Sequence, residues 1–221
     1  MGLHLLDIYR SPNIGIFMRA NDRFLLLPKG LAQTKSDKLC EALQVTAVPT
    51  SIWESRLLGA LASMNGNGVL VSRLAEDAEI AEIRSATGLN VSRLESKLTA
   101  AGNLVVANDR RAIASPALEP RALAQVKDIL GTEVERVPIR EYHQVGSLAV
   151  ATNSGAAVYP GLDEAEAARL GDLLGVSAYP TSVNGGVPYV ASGLVANSRN
   201  AVAGSLTTGP ELVFITRALN V

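Results

Sequence analysis

The stretch Ala101-Gly102-Asn103-Leu104-Val105-Val106-Ala107-Asn108-Asp109 decides how the rest of the chain is read, because versions of it return along the whole sequence. In each version a Gly opens a short apolar run, the run ends at an Asn, and a second apolar run follows. The Asn falls at Asn21, Asn65, Asn108, Asn153 and Asn197, in steps of about 44 residues. The Gly stands at Gly15, Gly59, Gly102 and Gly146, while the fifth copy departs, with Gly193 nearer its Asn. A period of this size marks an architecture built from copies of one supersecondary unit. Asn tolerates positive φ and fits the tight primed turns that match strand twist, so each copy reads as a β-hairpin, with Asn65-Gly66 the strongest turn signal. On that reading the five Asn residues are turn formers without chemistry.

Beyond each hairpin lies a helical segment. Thr34 is a candidate cap for a first helix carrying Leu39 and Leu43 on one face, since residues four apart share a face. The second starts near Asp77 and ends at Gly88. Pro120 just inside and Gly131 just outside bracket the third, the usual polarity of those two residues. Asp163 with Glu166 opens the fourth and Gly175 closes it. Thr208, Pro210 and Glu211 open a fifth over residues 211–219, with the acid three residues past the cap forming a capping box. Third strands are expected over 45–52 and 90–94. The fifth repeat runs out before its third strand, and residues 3–9 read as a strand with no hairpin of their own. These two irregularities are one observation if the amino-terminal strand completes the last repeat and closes the repeats into a ring, removing exposed sheet edges. One body over residues 1–221 is expected.

The composition fits that reading. Among the 221 residues 48% are hydrophobic and only 4% aromatic, and mean hydropathy is +0.20, as expected of strands buried on both faces by Ala, Val, Leu and Ile. No apolar run reaches the roughly 18 residues that span a bilayer. The single cysteine, Cys40, excludes an internal disulfide framework and fits a reducing compartment, so a cytoplasmic protein is expected. Lys and Arg number 20 against 21 Asp and Glu, so no overall basic field is present to hold a nucleic-acid backbone.

Catalytic signals are sparse. Cys40 sits in the first helix beside Leu39 and reads as a core thiol. His4 and His143 have no metal-ligand spacing to a second ligand. The acid pairs Glu76-Asp77 and Asp163-Glu164 fall at helix starts, where the macrodipole favours them. Asn184-Gly185-Gly186 and Asn65-Gly66-Asn67-Gly68 lack the lysine and the strand-to-helix setting of a phosphate loop. No cofactor and no metal are expected.

Together the five repeats and the segments Pro12-Asn13-Ile14-Gly15, residues 98–103 through Asn108-Asp109, Val145-Gly146-Ser147 to Thr152-Asn153, and Gly193-Leu194-Val195-Ala196-Asn197 resemble the translation initiation factor six family, across essentially the whole chain. That resemblance implies an α/β pentein fold, a five-bladed α/β propeller with pseudo-fivefold symmetry. It implies a ribosome anti-association factor that binds the large ribosomal subunit, mainly a ribosomal protein near the sarcin-ricin loop with limited rRNA contact, and that acts in large-subunit maturation. The chain ends at Val221 without the polar tail of eukaryotic members, so it is similar to the archaeal form. Guanidine-modifying enzymes share the fold, but they use a cysteine near the carboxyl end of the chain, where this sequence has none. A monomer that is not an enzyme is expected.

In a ring of like repeats, the loops leading into the first strands gather at one end of the axis. These are Asn13 to Gly15, Arg56, Gly102-Asn103, residues 144–146 including Gly146, and Asn184-Gly185-Gly186. They are the first candidate docking set. The Asn turns, with Asn65 and Asn108 foremost, are the second, expected to serve the same surface if the strands are short.

Overall fold

A computed structural model describes residues 2–221 as five blades around one axis. Each blade is a three-stranded sheet whose first two strands are antiparallel and whose third joins in parallel after a helix. The first blade holds β2 (Arg19–Ala20), β3 (Phe24–Pro28), α1 (Gln33–Leu43) and β4 (Thr46–Thr50), preceded by a 3-10 turn at Ile14–Ile16. The second holds α2 (Leu58–Leu61), β5 (Ala62–Met64), β6 (Gly68–Val71), α3 (Asp77–Thr87) and β7 (Asn90–Arg93). The third holds α4 (Ala101–Leu104), β8 (Val105–Ala107), β9 (Arg111–Ala114), α5 (Pro120–Leu130) and β10 (Glu133–Arg136). In the fourth are α6 (Val145–Leu148), β11 (Ala149–Ala151), β12 (Ala156–Val158), α7 (Glu164–Leu174) and β13 (Ala178–Pro180). The fifth has α8 (Val190–Gly193), β14 (Leu194–Ala196), β15 (Asn200–Ala203) and α9 (Gly209–Leu219), and its third strand is β1 (Gly2–Leu5). β1 runs parallel to β15 with Leu3 opposite Ala201, so the amino-terminal strand closes the ring in the pentein arrangement.

Long helices form where the sequence caps them. α7 has a reciprocal box, Glu166 N donating to Asp163 Oδ1 and Asp163 N to Glu166 Oε2, at 2.8 and 2.9 Å. Gly88, Gly131 and Gly175 end their helices at φ of 67°, 61° and 68°, a conformation that costs glycine nothing. Thr34 is not a cap, because α1 starts one residue earlier, after Ala32. α9 starts at Gly209, two residues before the expected start, and Thr208 caps it.

The apolar runs over 14–20, 57–64 and 189–196 are strand only in their last two or three residues, because each begins with a helical turn. The five turns touch one another in a closed circle around the axis, α8 meeting the 3-10 turn of the first blade. Glycine makes this approach possible: a Cβ on Gly59 would collide with the carbonyl oxygen of Gly15. The same place in the fifth blade is held by Ala191, whose carbonyl faces Gly15, so Gly193 is not the repeat's counterpart. The long helices then pack across blade boundaries. α3 lies against β4 of the first blade, α5 against β6 of the second, α7 against β9 of the third, α9 against β12 of the fourth and α1 against β15 of the fifth. Ile80 and Ile83 of α3 thereby share one core cluster with Leu26 and Val48. Strands such as β6 and β15 are buried at every residue, and each fully buried Leu, Ile or Val contributes roughly 1.5–3 kcal/mol.

Candidate functional site

The Asn turns are where the blades are joined. Asn65 Oδ1 accepts from Asn67 N and Gly68 N at 2.9 and 3.0 Å, fixing its own turn. Its Nδ2 donates to Asn108 O of the next blade and to Leu130 O, a carbonyl at the end of α5, at 3.0 and 2.8 Å. Asn108 repeats this with Arg110 N, Arg111 N, Thr152 O and Leu174 O. Asn21 Nδ2 reaches Asn65 O, and Asn197 Nδ2 reaches Leu43 O. None of these Asn residues has positive φ, so the turns are held by side chains rather than by left-handed backbone. In the fourth blade the role falls to Thr152, whose Oγ1 accepts from Ser154 N and Gly155 N. Asn153 therefore lies one residue out of register, and its side chain does something else.

That side chain belongs to a belt around this turn end of the axis. Asn153 Nδ2 donates to Asp22 Oδ2 and Asp109 Oδ2 at 3.0 and 2.8 Å, while Asp109 N donates to Asn153 Oδ1. Ser198 closes the belt through its N and Oγ to Asp22. Outside the belt stands a rim in which Arg23, Arg110 and Arg199 donate to the carbonyls of Gly66, Gly175 and Asp22. These three guanidinium groups form no ion pair among the described residues, and all three residues are exposed.

The opposite end carries hairpins. Tight turns link Ile8 to Ser11, Ile52 to Ser55, Ile139 to Tyr142 and Val183 to Val187. Their tips include positive-φ residues at Tyr9, Arg10, Trp53, Glu54, Arg140 and Asn184. A buried carboxylate anchors two of them. Glu79 accepts from Trp53 N, Glu54 N, Ser51 Oγ and its own cap, Glu76 N. Glu211 does the same with Gly185 N, Gly186 N, Ser182 Oγ and Thr208 N. Burial pushes the Glu211 carboxyl upward, but those hydrogen bonds to the charged form outweigh it and hold it down at about 2. Arg140 and Glu166 form an ion pair at 2.8 Å beside the third of these hairpins. Arg56 stacks over the Tyr9 ring at 5.3 Å, and Tyr9 meets Phe17 edge-on.

The first docking set is brought together at this hairpin end. Asn184 Nδ2 donates to Pro12 O and to Asn13 Oδ1, and Gly15 and Asn103 line one axial depression. Within the set, Gly15 and Gly146 are buried among the helical turns. Arg56 and Gly185 are exposed. Asn65 and Asn108 are at the other end, near the belt, and are only 2% and 3% exposed. They do not share a surface with the first set, and their amides are spent between blades. The strand and helical turn between them, seven residues in α2 and β5, hold the two ends about 16 Å apart at ~1.5 and ~3.3 Å per residue.

Cys40 is half-buried in α1, and burial, aided by the charge of Asp37, pushes its thiol upward. His4 is exposed on β1 and His143 is exposed ahead of α6. Among the described residues no group of three or more His, Cys, Asp or Glu could hold a metal ion, and no helix is long and apolar enough to cross a membrane.

The model of the eIF-6 family matches residues 3–218. The chain belongs to the eIF-6 family. Its relatives include translation initiation factor 6 of Nitrosopumilus maritimus (strain SCM1), 50% identical over 218 residues and 99% of each chain. Translation initiation factor 6 of Thermococcus onnurineus (strain NA1) is 40% identical over 224 residues, 99% of this chain and 98% of the other. Among solved structures, the N-terminal domain of ArgZ, an arginine dihydrolase, aligns with a TM-score of 0.48 at 17% identity, over 75% of this chain and 68% of that one. The family is thus one of translation factors.

Proposed function

We propose that the protein is a cytoplasmic translation initiation factor that binds the large ribosomal subunit as a monomer and blocks its association with the small subunit by occupying the joining surface. The same binding serves large-subunit maturation, and no catalytic step is involved. Family membership over nearly the full chain supports the class of partner. The observation that carries the choice of surface is the unpaired rim of Arg23, Arg110 and Arg199 standing around the acidic belt of Asp22 and Asp109. At the hairpin end Arg93, Arg121 and Arg140 are neutralised by Asp77, Glu95 and Glu166, and the exposed Arg10 and Arg56, which form no ion pair among the described residues, have no such belt of acids beside them. A partner assembled from RNA and basic proteins is approached best by the end that offers free positive charge beside the acidic belt of Asp22 and Asp109. The docking face is therefore the turn end, meeting a ribosomal protein near the sarcin-ricin loop with limited rRNA contact.

Co-sedimentation with isolated large subunits tests this. The parent is expected to pellet with them and to prevent subunit joining on a sucrose gradient. Arg110→Glu with Arg199→Glu is expected to lose binding and restore joining with an unchanged circular dichroism spectrum, and Arg56→Glu, at the far end, is expected to bind as the parent does. Binding lost in Arg56→Glu and kept in the double variant would put the docking face at the hairpin end. A parent that stays in the supernatant would remove the reading altogether.

A further inference from the structure

At the hairpin end the axis opens into a depression of about 220 Å³, lined by residues of the helical turns, among them Asn103, Ser147 and Ser192, together with Tyr189 and Arg19. Arg19 occupies the place that Ser63, Val106, Val150 and Val195 take in the other blades, counted from the glycine or alanine of each turn. Its guanidinium enters the channel and donates through Nε to Ala62 O at 3.2 Å, and through Nη2 to Gly59 O and to Gly102 O. Carbonyls satisfy hydrogens but do not neutralise a charge, and no carboxylate pairs with Arg19 among the described residues. Nη1 is left without a protein partner. Ser192 lines the same depression, and its hydroxyl is buried and has no hydrogen-bond partner. Buried polar groups are nearly always paired, and a buried cation is costly unless it is compensated. The unpaired Ser192 hydroxyl and the Arg19 cation that no carboxylate neutralises line one depression, and no acid is among its lining residues.

We propose that this depression is an oxyanion site that takes one phosphate or carboxylate group between Arg19 Nη1 and Ser192 Oγ, with the Asn103 amide at its edge. Arg19 remains protonated at neutral pH although burial lowers its pKa to about 10. The volume equals that of about seven waters at roughly 30 Å³ each, so a small oxyanion enters with part of its hydration shell. The inference does not depend on the ribosomal reading, and its test uses the free protein.

The test is a titration with inorganic phosphate, and separately with acetate, at ionic strength held constant with sodium chloride and followed by amide NMR. The parent is expected to show saturable shifts confined to residues 15–16, 59–60, 102–103, 146–147 and 191–192. The anion that binds more tightly names the source. Ser192→Ala is expected to weaken binding about tenfold, the loss of one hydrogen bond to a charged group. Asn103→Asp supplies an internal carboxylate near Arg19 and is expected to abolish binding while leaving the carbonyl contacts of Arg19 in place. Absence of saturation with either anion in the millimolar range would overturn the proposal. So would shifts scattered over the surface, or equal affinity in the parent and Asn103→Asp.

Discussion

Asn108 gives the sharpest test of how the ring is held together. Replacing it with Ala removes two hydrogen bonds inside the turn, from Arg110 N and Arg111 N at 2.8 and 2.9 Å, and two between blades, to Thr152 O and Leu174 O at 3.2 and 2.9 Å. At roughly 1 kcal/mol net for each bond, the expected loss is about 4 kcal/mol. The residue is only 3% exposed, so water does not easily replace what is removed. Asn108→Thr is the informative companion, because Thr152 already shows that a hydroxyl holds this turn through Ser154 N and Gly155 N. Thr at 108 keeps the turn and loses only the two donors to the next blade, a cost of about 2 kcal/mol. Equilibrium urea unfolding should order the proteins parent, Thr, Ala, separated by about 2 kcal/mol at each step, or ~4–8 °C in Tm for a chain of this size. If both variants lost the same amount, the inter-blade bonds would contribute nothing and the blades would cohere by apolar packing alone. An Ala variant within about 1 kcal/mol of the parent would refute the whole account.

Deleting residues 2–5 should destabilise the protein far more than trimming a loose end, since it strips β1 from β15 and opens a sheet edge; a truncated protein with the parent's urea midpoint would contradict ring closure. Gly59→Ala should cost about 2 kcal/mol or more, because the added methyl meets the Gly15 carbonyl and the backbone of two blades must shift. The carboxyl of Glu211, held at about 2 in the fold, lies below its ordinary value of about 4.3, so the stability it contributes is present above that value and lost as pH falls toward 2. Glu211→Gln should therefore flatten the acid slope of the unfolding free energy over that window, and an unchanged slope would show that the carboxylate is not coupled to folding.

The repeat was legible because its period is local and repeated: apolar runs, turn residues and helix-ending glycines each recur at the same spacing. Helix ends at Gly88, Gly131 and Gly175 were legible for the same reason, as left-handed positions favour one residue type. What the sequence hid is the partner of each side chain. Asn21, Asn65, Asn108 and Asn197 look like turn formers, and through Oδ1 they are. The Nδ2 of each bonds a carbonyl of a neighbouring blade, which no local pattern reveals. The register slip at Asn153 has the same origin: Thr152 serves as the turn residue, and reading by residue type chose the amide beside it. Counting from the glycines places Thr152 correctly, and the same count isolates Arg19 as the one charged residue at its repeat position.

The candidate docking residues were the least legible because successive loops of one repeat alternate between the ends of the axis, so nearness in sequence groups residues that the ring separates. Arg56 and Asn65 are neighbours in the chain and lie at opposite ends of the ring. The separation also decides which variants are informative. The inner part of the turn end is made of the bonds that join the blades, which leaves the surface ordered before any partner arrives and spares the entropy of fixing loops on binding. The cost of that economy is that a change at Asn65 or Asn108 loosens the ring and the surface together, and lost binding would not distinguish them. Arg110 and Arg199 stand outside the buried bonds, exposed and bonded only to carbonyls at Gly175, Asp22 and Gln44. Exposed charges of this kind contribute little to folding but much to the approach of a charged partner, so on the proposed docking face they are the residues whose replacement tests docking while the ring stays intact.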